Sequence, residues 1–426
     1  MKKSVCHSAS TPADSSRAMR RLNITNHLTI CTLFATLLIC AGCNMNANGT
    51  GNNGSAPPPP PPPPQTPTAP NELPIVVSAG TGSSPDMNRP LASVTICVPG
   101  TSTCQTINNV LVDTGSTGLR LFSSVVTIPI PIQQPFTQFF STYECVPFES
   151  NYAWGPVATA DVKLSGETAP GAAIQLMGDT TYTPPASCTN GLTADSSPQT
   201  SGFNGILGVT GQNDCANVCY TGPNEIYNYY LCTSTDGPAP FCEPNIEQVA
   251  QQVWNPVALF PTDNNGVVFD IPGIPASGAA NVQGSLYFGI GTESNNQLEG
   301  ATIYQFPLTA YLNTGTYGAG FDSGTADIGL LNDGVFGFPT CGVIYCPASP
   351  TALSVEIAGA NGEATILDLV AADITPDLNQ GMTADDMYVG PSNGGSSVTL
   401  GFAFFYGRRI LYNWGGTTGQ NAFIAF

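Results

Sequence analysis

From about Leu73 onward, the hydrophobic pattern consists of short β-branched and aromatic runs that are interrupted by Gly, Pro, Asn and Asp. This pattern predicts an all-β fold. Helical periodicity is rare, and the best example is 244–254, where apolar residues recur at helical spacing after Pro244. We expect a helix there. Because 426 residues exceed what one small core usually needs, we also expect two lobes, at 73–265 and 266–426, with the helix close to the join between them.

The first 72 residues have a different pattern. Arg20 and Arg21 precede an apolar stretch, 28–39, that leads through two small residues to Cys43. This order predicts an export signal over 1–43, and it resembles a bacterial lipoprotein signal, in which that cysteine is acylated. A retained membrane-spanning helix is the alternative, although the stretch is shorter than the ~20 residues that a span requires. The segment 44–72 contains eight consecutive prolines and predicts an extended linker.

Charge and histidine content exclude several functions. After Cys43 the chain has five basic and 28 acidic residues, so nucleic acids and anionic lipid surfaces are poor partners. Both histidines, His7 and His27, precede Cys43, so the exported chain would contain no imidazole. Histidine-dependent nucleophiles and the usual zinc hydrolase sites are thereby excluded. A single lysine, Lys163, also disfavours a serine–lysine pair. Hydrolytic chemistry would have to rely on carboxylates.

Ten cysteines follow Cys43, an even number that predicts disulfides in an oxidising compartment. Short-range pairing would join Cys97 to Cys104 across a Pro–Gly turn, and Cys341 to Cys346. The pairing of the other six stays open: Cys145, Cys188, Cys215, Cys219, Cys232 and Cys242. Without histidine ligands we expect no metal, and we expect no other cofactor.

The folded part repeats one pattern in outline. Each half has an Asp-Thr/Ser-Gly-Ser/Thr turn, followed several dozen residues later by two uncharged residues, the second of them leucine, and a glycine. The first half contains Asp113-Thr114-Gly115-Ser116 and later Ile206-Leu207-Gly208. The second half contains Asp322-Ser323-Gly324-Thr325 and later Thr399-Leu400-Gly401.

This double motif resembles that of the pepsin-like aspartic peptidases, over roughly 75–426. Asn204-Gly205-Ile206-Leu207-Gly208, 284–290 and 400–426 also match segments of that family, in the family's order. The chain is still more similar to an uncharacterised family of exported bacterial proteins, known only as a domain of unknown function, and this similarity adds no activity.

The resemblance implies an all-β, bilobal fold with a central cleft, in which Asp113 and Asp322 are the catalytic pair. It implies supporting roles for the rest of each turn. The hydroxyls of Thr114 and Ser323 would lock the turns together, Gly115 and Gly324 would let the backbone pass close to the pair, and Ser116 and Thr325 would hydrogen-bond outer carboxylate oxygens.

Three further residues are candidates for the substrate cleft. Arg120 stands where the family carries a tryptophan, and Tyr152 and Trp154 occupy a shortened version of the hairpin that covers the substrate. Each has a second interpretation, as a surface cation for Arg120 and as ordinary hairpin aromatics for the other two.

Together these patterns favour a monomeric aspartic-type endopeptidase that is exported and lipid-anchored through Cys43 to the bacterial envelope, most simply its outer membrane. Its folded part would be periplasmic or extracellular, with a polypeptide substrate or ligand in the cleft. The alternatives are a non-catalytic binding protein with a pepsin fold and a disulfide-bonded structural protein of the envelope.

Overall fold

The computed structural model describes residues 65–82, 86–134, 139–148, 150–214, 229–233, 241–312, 315–330, 336–391, 397–415 and 422–426. The predicted signal, Cys43 and most of the predicted linker lie outside these residues, as do Cys215 and Cys219. None of the helices within the described ranges has the length and apolar character that crossing a bilayer requires.

β-Strands dominate the described residues, which confirms the all-β prediction. The strands are β1 (Glu72–Ser78), β2 (Arg89–Cys97), β3 (Cys104–Asp113), β4 (Thr117–Phe122), β5 (Phe140–Pro147), β6 (Asn151–Leu164), β7 (Glu167–Met177), β8 (Thr193–Ala194), β9 (Gly205–Val209), β10 (Tyr229–Thr233), β11 (Cys242–Asn245), β12 (Gly266–Ile271), β13 (Val282–Phe288), β14 (Ile303–Gln305), β15 (Leu308–Leu312), β16 (Gly315–Asp322), β17 (Ile328–Leu330), β18 (Thr340–Cys341), β19 (Ile344–Tyr345), β20 (Thr351–Ala358), β21 (Ala364–Ala371), β22 (Val389–Pro391), β23 (Ser397–Gly401), β24 (Arg408–Asn413) and β25 (Phe423–Ala425). The α-helices are short: α1 (Ala186–Thr189), α2 (Pro198–Ser201) and α3 (Thr375–Asn379). Single 3₁₀ turns lie at Ser123–Val125, Val249–Gln251, Pro256–Leu259 and Phe402–Phe405.

The prediction of a helix at 244–254 is wrong. Its first residues belong to β11, and only the 3₁₀ turn Val249–Gln251 follows. Ile246 and Val249 are 61% and 38% exposed, so their spacing does not mark a buried helical face. The segment is held instead by buried polar groups, since the Gln252 amide donates to the Glu247 carbonyl oxygen at 3.1 Å.

One long sheet contains strands from both halves of the folded part. β1 pairs with β2 on one side and with β13 on the other, and it thereby joins the first half to the second. A separate seven-stranded sheet contains β16 and β23. The predicted boundary between 265 and 266 lies directly before β12. Because strands from both sides of it share a sheet, the division into 73–265 and 266–426 stays a prediction.

The same strand arrangement positions both aspartate turns. β3 ends at Asp113 and runs parallel to β9, where Gly208 lies opposite Asp113, and β4 leaves the turn antiparallel to β9. β16 ends at Asp322 and runs parallel to β23, where Gly401 lies opposite Asp322, and β17 runs antiparallel to β23. All five residues of β9 are buried. The repeat in the sequence is therefore a repeat in the structure.

Four disulfides are present in the described part of the chain. Two are the predicted short-range pairs, Cys97–Cys104 and Cys341–Cys346. The others join Cys145 to Cys188 and Cys232 to Cys242, which settles four of the six open cysteines. Since disulfides persist in oxidising compartments, they indicate an extracellular or periplasmic location.

Candidate active site

Reciprocal hydrogen bonds join the two aspartate turns. Thr114 donates its backbone N–H to Ser323 Oγ at 3.0 Å and its hydroxyl to the Phe321 carbonyl oxygen at 2.9 Å. Ser323 does the converse, with its backbone N–H to Thr114 Oγ1 at 2.9 Å and its hydroxyl to the Val112 carbonyl oxygen at 2.8 Å. Both side chains are buried. Because four bonds hold the turns together, the aspartates are fixed relative to each other.

Asp113 and Asp322 face each other, with carboxyl groups close enough to share a hydrogen bond. Each carboxylate is oriented by its own turn in the same way. Gly115 N–H donates to Asp113 Oδ1 at 2.7 Å and Gly324 N–H to Asp322 Oδ1 at 2.8 Å. The outer oxygens accept from hydroxyls, Asp113 Oδ2 from Ser116 and Asp322 Oδ2 from Thr325, the latter at 2.7 Å. The pair and its supports are thus nearly symmetric.

Glycine is required in both turns because each backbone passes against the opposite carboxylate. A Cβ on Gly115 would lie 2.6 Å from Asp322 Cγ, and a Cβ on Gly324 would lie 2.5 Å from Asp113 Oδ1. Both distances are far inside van der Waals contact. Any larger residue at either position would therefore push the pair apart.

The environment of the pair favours a shared proton. Burial raises the pKa of Asp113 well above its usual value, and the negative charge of Asp322 and a hydrogen bond between the two carboxyls raise it further. The bonds from Ser116 and Gly115 oppose this effect. Since two carboxylates this close cannot both ionise easily, the pair holds one proton over an intermediate pH range.

Two polar residues beside the pair were not found from the sequence. Thr210 follows β9, and its hydroxyl donates to the Thr114 carbonyl oxygen. Tyr412 on β24 lies within hydrogen-bonding range of Thr210, and burial, followed by the charges of Asp322 and Asp113, raises its pKa to about 12. Tyr412 therefore stays protonated near the pair. No motif marks either residue, because they meet only through the pairing of distant strands.

The carboxylates open into a cleft pocket of about 310 Å³. On one side the turn between β5 and β6 contributes Phe148, Ser150 and Asn151, and Phe148 N–H donates to the Asn151 carbonyl oxygen at 2.7 Å. Other lining residues come from the first half: Arg89, Leu111, Asp195, Thr200, Ser201, Phe203 and Ile206. Described residues of the hairpin turn therefore line the same pocket as the pair, and the aromatic residue among them is Phe148.

The three cleft candidates lie elsewhere in the structure. Arg120 is fully buried and forms ion pairs with Glu144 at 2.9 Å and Asp214 at 3.1 Å, so its guanidinium is neither on the surface nor in the cleft. Tyr152 and Trp154 are also buried, and they line a different pocket from the one that contains the pair. Their placement in the cleft was wrong because the hairpin turns at 148–151, before either aromatic.

Two half-repeats that each present one aspartate to a shared cleft define a pepsin-like, all-β fold. Residues 67–426 match the family described as "Protein of unknown function (DUF3443)", and the chain belongs to this family. A solved structure, an aspartic proteinase from Irpex lacteus, is similar over 83% of this chain and 96% of its own chain, with 15% sequence identity and a TM-score of 0.46. No curated protein matches the sequence.

Proposed function

We propose that the protein is an aspartic-type endopeptidase that hydrolyses peptide bonds with Asp113, Asp322 and a water molecule. The observation that supports this most strongly is the near-symmetric carboxyl pair at the floor of a cleft, with both carboxylates held by their own turns. Such a pair is the site type of the aspartic proteases, in which one proton is shared between two roles.

In the proposed reaction the pair begins with one shared proton, because burial and the negative charge of Asp322 raise the pKa of Asp113. The ionised partner takes a proton from water as the water oxygen attacks the carbonyl carbon, and the protonated carboxyl donates to the carbonyl oxygen. The resulting tetrahedral diol then collapses. Its C–N bond breaks as the nitrogen receives a proton from the protonated carboxyl and a diol hydroxyl gives its proton to the ionised carboxylate. This releases an amine and a carboxylic acid and leaves the pair with one proton. No covalent intermediate is needed.

The proposal extends to location and partners. The disulfides support an exported protein, and acylation of Cys43 would tether it to the bacterial envelope, with 44–72 as the spacer. A polypeptide would be the partner in the cleft, the fold would act as a monomer, and nucleic acid would not bind. Mass spectrometry of the protein from membranes tests the tether, because acylation adds a diacylglycerol mass to a peptide that begins at Cys43.

The test of catalysis is cleavage of a denatured protein between about pH 3 and 6, with and without a statine-type inhibitor that mimics the tetrahedral intermediate. We expect inhibitor-sensitive cleavage that Asp113→Asn or Asp322→Asn each abolishes, with melting temperatures close to that of the unsubstituted protein. Cleavage that survives both substitutions contradicts the assignment. Tight binding of the inhibitor without any cleavage would instead support a non-catalytic binding protein.

A further inference from the structure

Tyr152 and Trp154 line a second cavity, here called the outer pocket, of about 240 Å³. It is separate from the cleft because successive side chains on a strand point to opposite faces. Asn151 lines the cleft, whereas Tyr152 and Trp154 line the outer pocket. The two cavities adjoin at Asp195, which lines both. A chain bound along the cleft therefore passes close to the outer pocket.

The aromatic wall of the outer pocket is rigid. Trp154 Nε1 donates to the Tyr182 carbonyl oxygen at 3.0 Å, and the Trp154 ring packs against Tyr143 and Tyr230 at centroid distances of 5.2 and 5.3 Å. The disulfide Cys145–Cys188 lies in the same cluster. Tyr152, Trp154 and Tyr182 keep only 3–8% of their surface exposed. Because the wall is already packed, ordering its side chains would cost little of the free energy of binding.

The lining of the outer pocket is acidic. It includes two acidic side chains, Asp179 and Asp195. The described residues that line the pocket include no lysine or arginine. Asp179 Oδ1 accepts the Tyr143 hydroxyl at 3.0 Å and the Thr181 N–H at 2.9 Å, so its carboxylate is fixed beside the aromatic wall. Aromatic faces and a carboxylate both attract an organic cation. Burial raises the pKa of Asp195, and the nearby charge of Arg89, which lines the cleft and not the outer pocket, opposes this effect.

We propose that the outer pocket binds the cationic side chain of a lysine or arginine in the polypeptide substrate, and so sets a specificity of the proposed peptidase. The size fits a single side chain, since sites for drug-sized ligands occupy roughly 300–1,000 Å³. The strongly acidic chain, with 29 acidic and 10 basic residues, also attracts basic substrates at longer range. This inference rests on the proposed function for its biological role, while the binding itself does not depend on catalysis.

The binding experiment uses n-butylammonium, which has the form of a lysine side chain, and n-butanol as the uncharged control. We expect butylammonium to change tryptophan fluorescence in a saturable way and butanol to have no such effect. Trp154→Phe should abolish the response, and Trp254→Phe should keep it.

Asp179→Asn retains acceptors for Tyr143 and Thr181 while removing the charge, and it should weaken binding about tenfold. Asp368→Asn, the same change at an exposed position of β21, should leave binding unchanged.

The kinetic experiment compares peptides in which lysine, arginine or norleucine occupies each position around the scissile bond. We expect one position where lysine and arginine raise kcat/KM about tenfold over norleucine, mainly by lowering KM, and we expect Asp179→Asn to remove this preference. Cleavage without any such preference, together with no butylammonium response, overturns the outer-pocket inference and leaves the peptidase proposal standing. An Asp179-dependent butylammonium response without cleavage supports the cation site and contradicts the peptidase. Equal responses to butanol and butylammonium overturn the inference.

Discussion

Replacing Arg120 by methionine is expected to destabilise the fold strongly. Arg120 and Glu144 are both fully buried, and Nη2 of the arginine lies 2.9 Å from Glu144 and 3.1 Å from Asp214. Nη1 donates to the Thr117 carbonyl oxygen. Removing one member of a buried ion pair typically costs 3–5 kcal/mol, because the partner charge is left without compensation. We therefore expect a loss of about 3–5 kcal/mol in the free energy of unfolding at neutral pH.

The loss should depend on pH. Burial raises the pKa of Glu144 even with Arg120 in place, and the charge of Arg120 is the largest influence that lowers it. Without Arg120, Glu144 would take up a proton in the folded state more readily. Below its folded pKa the carboxyl would then be neutral, so the destabilisation should shrink as the pH falls from 8 to 5.

Urea denaturation at several pH values measures this effect. Arg409→Met is the matched control, because the Arg409 side chain is 21% exposed and its partner Asp270 is 48% exposed, and such pairs contribute about 0–1 kcal/mol. The double variant Arg120→Met/Glu144→Met should recover most of the loss, since apolar replacements of buried ion pairs are often neutral. A cost below about 1 kcal/mol for Arg120→Met alone would refute the reasoning, as that is the range of exposed pairs.

Three more changes test other parts of the structure. Gly115→Ala should abolish cleavage with a modest fall in melting temperature, because the new Cβ would lie 2.6 Å from Asp322 Cγ; peptide assays and calorimetry measure both. Asp385→Asn should raise the melting temperature at pH 8 and change it little at pH 4, because burial raises the Asp385 pKa to about 7 and its stabilising proton is lost above that pH. Replacing both Cys145 and Cys188 by serine should lower the free energy of unfolding by about 4 kcal/mol on the chain-entropy model, measured in urea, because the disulfide closes a separation of 43 residues.

The sequence was most informative where a local turn determines the geometry. Each aspartate motif carries its own hydroxyl, glycine and following strand, so the oriented carboxylates can be anticipated from a few consecutive residues. The later glycines, Gly208 and Gly401, lie opposite the aspartates in parallel strands. Two copies of one local pattern therefore predicted a symmetric site without knowledge of the rest of the sheet.

The cleft lining could not be predicted in the same way. Five of the six residues of β4 are buried, so alternation along Leu119, Arg120 and Leu121 does not tell a core face from a cleft face. The partners of Arg120 come from β5 and from Asp214, which no spacing rule connects to it. The position of the hairpin turn was mispredicted for a related reason, since the pairing of β5 with β6 ends at Pro147 and Tyr152 and places the turn before both aromatics.

The buried carboxyls are expected to make the fold more stable at acidic than at alkaline pH, and the proposed chemistry also needs one protonated carboxyl. Burial is the largest cause of a raised pKa at Asp113, Glu144, Asp195, Glu247 and Asp385. A carboxyl whose folded pKa lies above its unfolded value binds a proton in the folded state, so its stabilising effect is full below pH ~4 and is lost as the pH rises through the folded pKa. Repulsion among the many acidic residues also grows in that direction. We therefore expect the melting temperature to rise as the pH falls from 8 to 5. A melting temperature that falls over this interval would mean that ionised, paired carboxylates dominate the stability instead.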